Sequence, residues 1–201
     1  MGLTRKRNMH YPDDHSKYIT TCTWEQCKVK DFCSISTGKS NTQDKVDDGE
    51  YPFYVRSPII ERSRRYLYDE EAILTVGDGV GTGKVFHYVN GKYDLHQRVY
   101  RMFNFSESIF PKYFYFFFSS HFYNRVMAMT AKTSVDSVRY EMIADMEIAM
   151  PVLSEQKKIS GVLESLDSIL TLHQRKQICL FLVIESFLYI CLKKGGLLYG
   201  N

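Results

Sequence analysis

The chain has 201 residues, 44% of them hydrophobic, with 26 Lys and Arg against 23 Asp and Glu and a formal net charge of +3. That apolar content fills one ordinary core rather than two, so one globular domain with an appendage is expected. So mild a charge does not point to nucleic acid by itself, and any basic surface has to be local.

Cys22, Cys27, Cys33, Cys179 and Cys191 are an odd set without a C-x-x-C pair. They suggest neither a disulfide framework nor a zinc knuckle, so inert thiols in a reducing compartment are expected, with no metal site. The first dozen residues carry basic groups with no apolar stretch behind them, so no signal peptide is read and a cytoplasmic location is expected.

Residues 1–23 are polar, contain the turn-like Tyr11-Pro12-Asp13-Asp14 and show no sustained periodicity, so a loosely held leader is expected. At Trp24 the character changes. The stretch WEQCKVKDFCSISTGKS predicts a short helical turn, then an alternating strand, then a Gly-Lys-Ser loop. Tyr51 to Ser57 reads as an aromatic strand with Arg56 and Ser57 at its end, and Arg62, Arg64 and Arg65 crowd together soon after.

Ile73 to Val76 is an apolar strand, Gly77 to Gly83 a flexible connection, and Val85 to Val89 an alternating strand. Asn90-Gly91 then reads as a hairpin turn before alternation resumes from His96 to Tyr100. Gly83-Lys84 invites comparison with a phosphate-binding loop, but the spacing fails: Asp78 stands where a Walker A glycine belongs, and Val85 where Ser or Thr must follow the lysine.

Phe110 to Met129 predicts an aromatic-rich helix, with Pro111 where a first turn tolerates it. Its rings are core material first, so Tyr113 and Tyr115 are not assigned as base-stacking contacts. A polar loop with Lys132, Thr133 and Ser134 follows, then a brief helix around Val138 to Ile143 and a strand from Glu147 to Met150.

Pro151 to Lys176 reads as the start of a long helix. Ser154 is expected to cap it, and Glu155 places negative charge at the positive end of the macrodipole. Ile159, Leu163, Leu166 and Leu170 recur at alternating four- and three-residue steps, a narrow stripe suited to another helix. Ile178 to Leu192 is nearly all apolar, yet it is interrupted by Glu185 and Ser186 and is shorter than the roughly 20 residues a membrane span requires.

Pro151, the Glu155-Gln156 pair, Ile159, the Leu166-Asp167-x-Ile169 step and His173-Gln174-Arg175-Lys176 together resemble the opening of a conserved helix in the specificity (S) subunits of type I restriction-modification systems. Trp24-Glu25-Gln26 before a short strand and a glycine resembles the start of their target-recognition domain. The resemblance spans residues 24–176. Gly196, Leu197 and Leu198 preserve the usual ending of the helix, whereas Ile178 to Leu192 is more apolar than the family pattern.

What the resemblance implies is an α+β fold: a target-recognition domain of mixed β-sheet and short helices at 24–151, one long coiled-coil-type helix at 152–195, and a tail at 196–201. It also implies half of a whole subunit, which carries two such domains and two antiparallel helices. The expected partners are double-stranded DNA, methyltransferase (M) subunits, the restriction (R) subunit indirectly, and a second half-subunit or a second copy through the long helix. A helix over residues 155–194 would span about 60 Å, enough to act as a ruler between two recognition domains.

No nucleophile stands beside a base, no carboxylate pair is singled out by spacing, and no Asn-Pro occurs for an adenine methyltransferase motif. A non-catalytic reader without cofactors is therefore expected, with catalysis left to partners. Arginine and glutamine read base edges while lysine and small hydroxyls hold phosphates. The candidates are Arg56, Arg62, Arg64 and Gln97 for bases, and Lys39, Lys84, Arg98 and Lys132 for phosphates, with Ser57 and Ser134 as loop hydroxyls.

Structural alternatives stand beside these roles. The arginines could pair with Asp69, Glu70 and Glu71, His96 and His173 are read as structural, and Asp167 as a helix-interface residue. Ile159, Leu163, Leu166 and Leu170 are assigned to helix assembly. Two other functions remain open: a fragment that binds methyltransferase subunits without reading DNA, and a nucleotide-binding enzyme using the loop from Gly77 to Lys84.

Overall fold

The computed structural model describes residues 24–79, 81–130 and 137–195, with side chains to residue 178. The expected leader at 1–23, the tail at 196–201 and the loop residues Lys132, Thr133 and Ser134 lie outside the described residues, as does Cys22.

The described chain opens with strand β1 (Glu25–Lys28), passes through a one-turn helix α1 (Val29–Phe32) and continues as β2 (Ser34–Thr37). The helical turn therefore follows a strand, where the sequence pattern placed it first. Strand β1 pairs antiparallel with β8 (Glu147–Met150), Glu25 opposite Met150 and Lys28 opposite Glu147. Four residues whose partner lies at the far end of the globular part leave no local period to detect.

Strands β3 (Tyr51–Tyr54), β4 (Ile60–Ser63), β5 (Tyr68–Val76), β6 (Phe86–Leu95) and β7 (Val99–Phe103) join β2 in a six-stranded sheet of order β2-β7-β5-β6-β3-β4. Every pairing in it is antiparallel except β3 with β6. The expected hairpin at Asn90-Gly91 is absent, because β6 runs straight through and pairs Asn90 with Glu71 and Gly91 with Glu70. Gly91 is needed for a different reason: its φ of 121° bends the middle of a long strand in a region closed to most L residues. The true turn is at His96–Arg98, between β6 and β7.

The second half of β5, Ala72 to Val76, is buried on both faces, which explains why it is nearly all apolar. Ile73 faces a core shared with Met102, Phe114, Phe118 and Phe122, while Ala72 and Leu74 face a second cluster with Tyr93, Leu95 and Val99. The first core is closed by helix α2 (Pro111–Met129), which begins with proline at its N-terminus as the sequence predicts. Phe114, Phe118 and Phe122 are fully buried, each worth about 2 to 3 kcal/mol in area removed from water. Phe86 meets Phe118 and Phe122 edge-on at 5.6 and 6.2 Å, so the rings lock the helix to β6. Tyr113 is buried and donates to the Ala149 carbonyl at 2.6 Å.

A short helix α3 (Tyr140–Ala144) leads to β8, and the chain then enters α4 (Leu153–Gly195). Ser154 does not cap this helix. The Val152 carbonyl already accepts from the N–H groups of Glu155 and Gln156 at 2.9 and 3.1 Å, so Ser154 sits exposed inside the first turn. Gln156, fully buried, does the fastening. Its Nε2 donates to the carbonyls of Pro151 (2.8 Å) and Ser108 (3.0 Å), and its Oε1 accepts from the Phe110 N–H (2.8 Å) at the start of α2.

Further along α4, Ile159 packs against the body's core, the buried Ser160 hydroxyl donates to the Gln156 carbonyl, and Glu164 pairs with Lys112 of α2. From Ser165 to Ile178 the side chains are exposed apart from half-buried Thr171. Leu166 and Leu170 are 50% and 61% exposed. The stripe read from sequence thus divides: Ile159 is covered by the chain's own body, Leu163 is half-buried, and the later leucines are open. Among the described residues no helix is long and apolar enough to cross a membrane.

Candidate nucleic-acid interface

One end of the sheet gathers four loops. The segment after β2 packs its backbone against the β6–β7 turn: Gly38 N–H donates to the Val99 carbonyl, and the N–H groups of Lys39 and Ser40 both donate to the Leu95 carbonyl. Gly38 is required there, since a Cβ would lie 2.2 Å from the Leu95 carbonyl oxygen. The Gly-Lys-Ser sequence is therefore a close-approach junction that leaves Lys39 exposed beside the turn.

Beneath this junction lies Asp94, fully buried. Its Oδ1 accepts from the Ser40 hydroxyl (2.6 Å) and the Leu95 N–H (2.8 Å), its Oδ2 from the Ser63 hydroxyl (2.9 Å), and the Arg65 guanidinium stands 4.0 Å away. Arg65 also reaches Asp44 at 3.5 Å. A buried carboxylate is tolerated because its oxygens are satisfied in this way.

Thr37, Gly38, Lys39, Gly77, Asp78, Gln97, Arg98, Tyr100, Ser137 and Val138 line an open cleft of about 700 Å3. Gln97 Nε2 donates to Asn41 Oδ1 at 2.6 Å, which holds its amide at the rim. Arg56, just past the end of β3, places a guanidinium nitrogen 3.4 Å from Asp78 Oδ1, and Arg98 Nε lies 3.7 Å from Asp78 Oδ2. Lys39 and Arg98 line the cleft and Arg56 reaches its Asp78, the one carboxylate among the described lining residues, which gives a local positive surface inside a nearly neutral chain.

Other candidates are engaged elsewhere. Arg62 Nε donates to the Gly49 carbonyl at 3.0 Å, and exposed Arg64 lies 3.7 Å from Asp48, so both flank the 45–49 loop. Ser57 donates to the Ile59 carbonyl beside Arg56. Lys84 stands over the Tyr123 ring of α2 at 4.8 Å. Asp69, Glu70 and Glu71 are not the partners of Arg62, Arg64 and Arg65: Glu70 pairs with Arg101, whose guanidinium stacks on Tyr68 and Phe103. The roles of Asp78, Asn41 and Arg65 are not readable from sequence, because their partners are remote along the chain.

His96 anchors the turn. Its Nδ1 accepts from the Arg98 N–H at 3.0 Å and its Nε2 lies 3.3 Å from the Thr42 hydroxyl. Burial, then the charges of Arg56 and Arg98, hold its pKa below the ordinary 6.5, with Asp78 opposing. Burial alone does the same to His87, whose ring lies 4.9 Å from that of Tyr54. Both stay neutral in the folded chain where the unfolded chain takes up protons. Folding stability is therefore full above 6.5 and is lost as pH falls through that value toward the lower folded ones. The urea midpoint is expected to drop between about pH 7.5 and about pH 5.5, and to drop less in His87→Phe; an unchanged midpoint would contradict the assignment.

Burial pushes the Cys33 thiol up to about 12, which keeps it protonated. Among the described residues no three His, Cys, Asp or Glu side chains converge as a metal-binding group.

Residues 22–180 match the family model described as the type I restriction modification DNA specificity domain. Over 145 residues the chain is 26% identical to the specificity subunit of the Escherichia coli type I restriction enzyme EcoDI, covering 71% of this chain and 31% of that protein. Its fold is similar to the S subunit of a type I restriction-modification system from M. genitalium, with a TM-score of 0.63 and 15% identity over 76% of this chain and 41% of that one. The HsdS subunit from Thermoanaerobacter tengcongensis gives a TM-score of 0.57 at 11% identity, over 83% and 42% of the two chains. A chain from a structure of type I R-M complex assembly gives 0.55 at 14% identity, over 82% and 43%. The chain therefore spans less than half the length of each of these relatives. Taken with the mixed sheet, the loops gathered at its end and the long helix fastened by Gln156, the match places the chain in the type I restriction modification DNA specificity domain family.

Proposed function

We propose that this chain is a non-catalytic DNA-reading unit of a cytoplasmic type I restriction-modification system. It reads one half of a bipartite site and presents α4 to methyltransferase subunits, with the restriction subunit engaged indirectly. The observation that carries this reading is the convergence of Lys39, Gln97 and Arg98 on the lining of one cleft, with Arg56 from a third loop reaching the Asp78 carboxylate in it. Exposed cations track phosphates, and an amide or guanidinium at the rim can meet a base edge.

The open side chains of Leu166, Ile169 and Leu170 support the second half of the proposal, since an apolar stripe on a projecting helix is stabilised by a covering partner. A methyltransferase subunit or a second α4 would supply that cover. A homodimer would read a palindromic split site, and pairing with a different half an asymmetric one.

A salt titration on duplex DNA tests the reading. Affinity should fall with salt by about 0.9 log units per phosphate contact, and Lys39→Ala should flatten that slope by about one contact for every sequence alike. Gln97→Ala should instead relax preference at one base pair, by about 1 to 3 kcal/mol. A chain that co-purifies with a methyltransferase subunit yet shows no sequence-dependent DNA binding would overturn the reader and leave an interaction-only fragment.

A further inference from the structure

Asp78 is the one acidic residue among the described residues lining the cleft, and both of its carboxylate oxygens face guanidinium groups from different loops. We propose that Asp78 stands in for a DNA phosphate: it holds Arg56 and Arg98 in the free protein and must be displaced by DNA, so that binding to arbitrary sequence is suppressed. This rests on the reading of the cleft as a DNA surface.

The geometry separates a fixed carboxylate from movable cations. Asp78 is held through its backbone neighbours: Gly77 N–H donates to the Arg98 carbonyl (2.8 Å), Val138 N–H to the Gly77 carbonyl (2.7 Å), and Asp78 bridges to Ser137. Its side chain is 24% exposed, whereas those of Arg56 and Arg98 are 49% and 64% exposed on long stems. The arginines can swing toward a ligand; the carboxylate cannot follow.

The contacts are also loose. At 3.4 and 3.7 Å they are longer than the roughly 2.7 to 2.9 Å of a well-formed charge-assisted hydrogen bond, so a phosphate oxygen in good geometry can replace them. Exposed pairs of this kind are worth little each, which suits a contact that has to open. Any duplex that approaches must surrender the Asp78 pairing, but only one whose base edges also fit recovers more than it loses. Discrimination then arises from the difference between the two.

The test uses the full chain and labelled random-sequence duplexes of about 30 base pairs, titrated across roughly 50 to 200 mM salt. Asp78→Asn should bind them about threefold to tenfold tighter and steepen the salt slope by about one unit, while charge-keeping Asp78→Glu stays near the unsubstituted chain. Adding Arg98→Gln to Asp78→Asn should return affinity and slope most of the way.

If the unsubstituted chain binds duplexes but Asp78→Asn binds no better, the inference fails while the DNA reading stands. If Asp78→Asn loses preference at a single base pair without gaining on random sequence, Asp78 is itself a base contact and the inference fails. If the unsubstituted chain shows no salt-dependent binding, the DNA reading fails and takes the inference with it.

Discussion

Replacing Gln156 with leucine should destabilise the folded chain by about 2 to 4 kcal/mol and loosen α4 from the body, because the buried amide takes three backbone hydrogen bonds with it when it goes. Leucine preserves much of the side-chain volume, so little of the loss would come from a cavity. The Ser108 carbonyl and the Phe110 N–H lie in the approach to α2 and the Pro151 carbonyl lies just before α4, so one amide side chain fixes how two helices begin. Gln156→Glu keeps the acceptor for Phe110 but turns a carboxylate oxygen toward two carbonyls, and should be no milder. A urea titration measures the loss, and limited proteolysis should show α4 cut before the body. If Gln156→Leu retained full stability and protease resistance, the fastening role would be wrong.

The second large effect lies at the other end of the sheet. Asp94→Ala should cost about 3 to 5 kcal/mol, since it strips the Ser40 and Ser63 hydroxyls and the Leu95 N–H of their acceptor and leaves Arg65 without its buried counter-charge. The consequence reaches the candidate interface, because Ser40 anchors the loop that carries Lys39 against the turn that carries Gln97 and Arg98. Asp94→Asn, which keeps one acceptor oxygen, should lose less. Equal stability of the alanine variant and the parent would show that the hub is dispensable.

The sequence made the long elements legible and the short ones obscure. Helix α2 begins at its proline and buries the rings assigned to the core, and β5 follows the apolar run through Val76, because period and composition are local signals. Asn90-Gly91 misled because the same dipeptide that favours a tight turn also suits a bent strand, and the choice was made by pairing with Glu70 and Glu71 across β5. Ser154 misled because the helix begins at Leu153, one residue before it, where the Val152 carbonyl accepts from the N–H groups of Glu155 and Gln156.

The candidate site is legible in residue type and not in grouping. Lys39, Arg56, Gln97 and Arg98 were singled out by chemistry alone, and the fold brings them together; Arg62 and Arg64, equally plausible by type, turn toward residues 48 and 49. Asp78 was visible only as the residue that spoiled a phosphate-loop spacing. Its partners come from two other loops, and nothing in the one-dimensional pattern announces that convergence. Gln156 belonged to the motif that carries the family resemblance, and its three hydrogen bonds give that motif a mechanical reason.

The central claim is tested most directly by co-expressing the chain with a type I methyltransferase subunit and mapping adenine methylation by sequencing. The account predicts methylation confined to one split motif, and loss or relaxation of whatever part of that motif this chain reads, one half or both halves of a palindrome, when Gln97 and Arg98 are both replaced by alanine. Methylation absent altogether, or a motif that does not change when those cleft residues are removed, would contradict it.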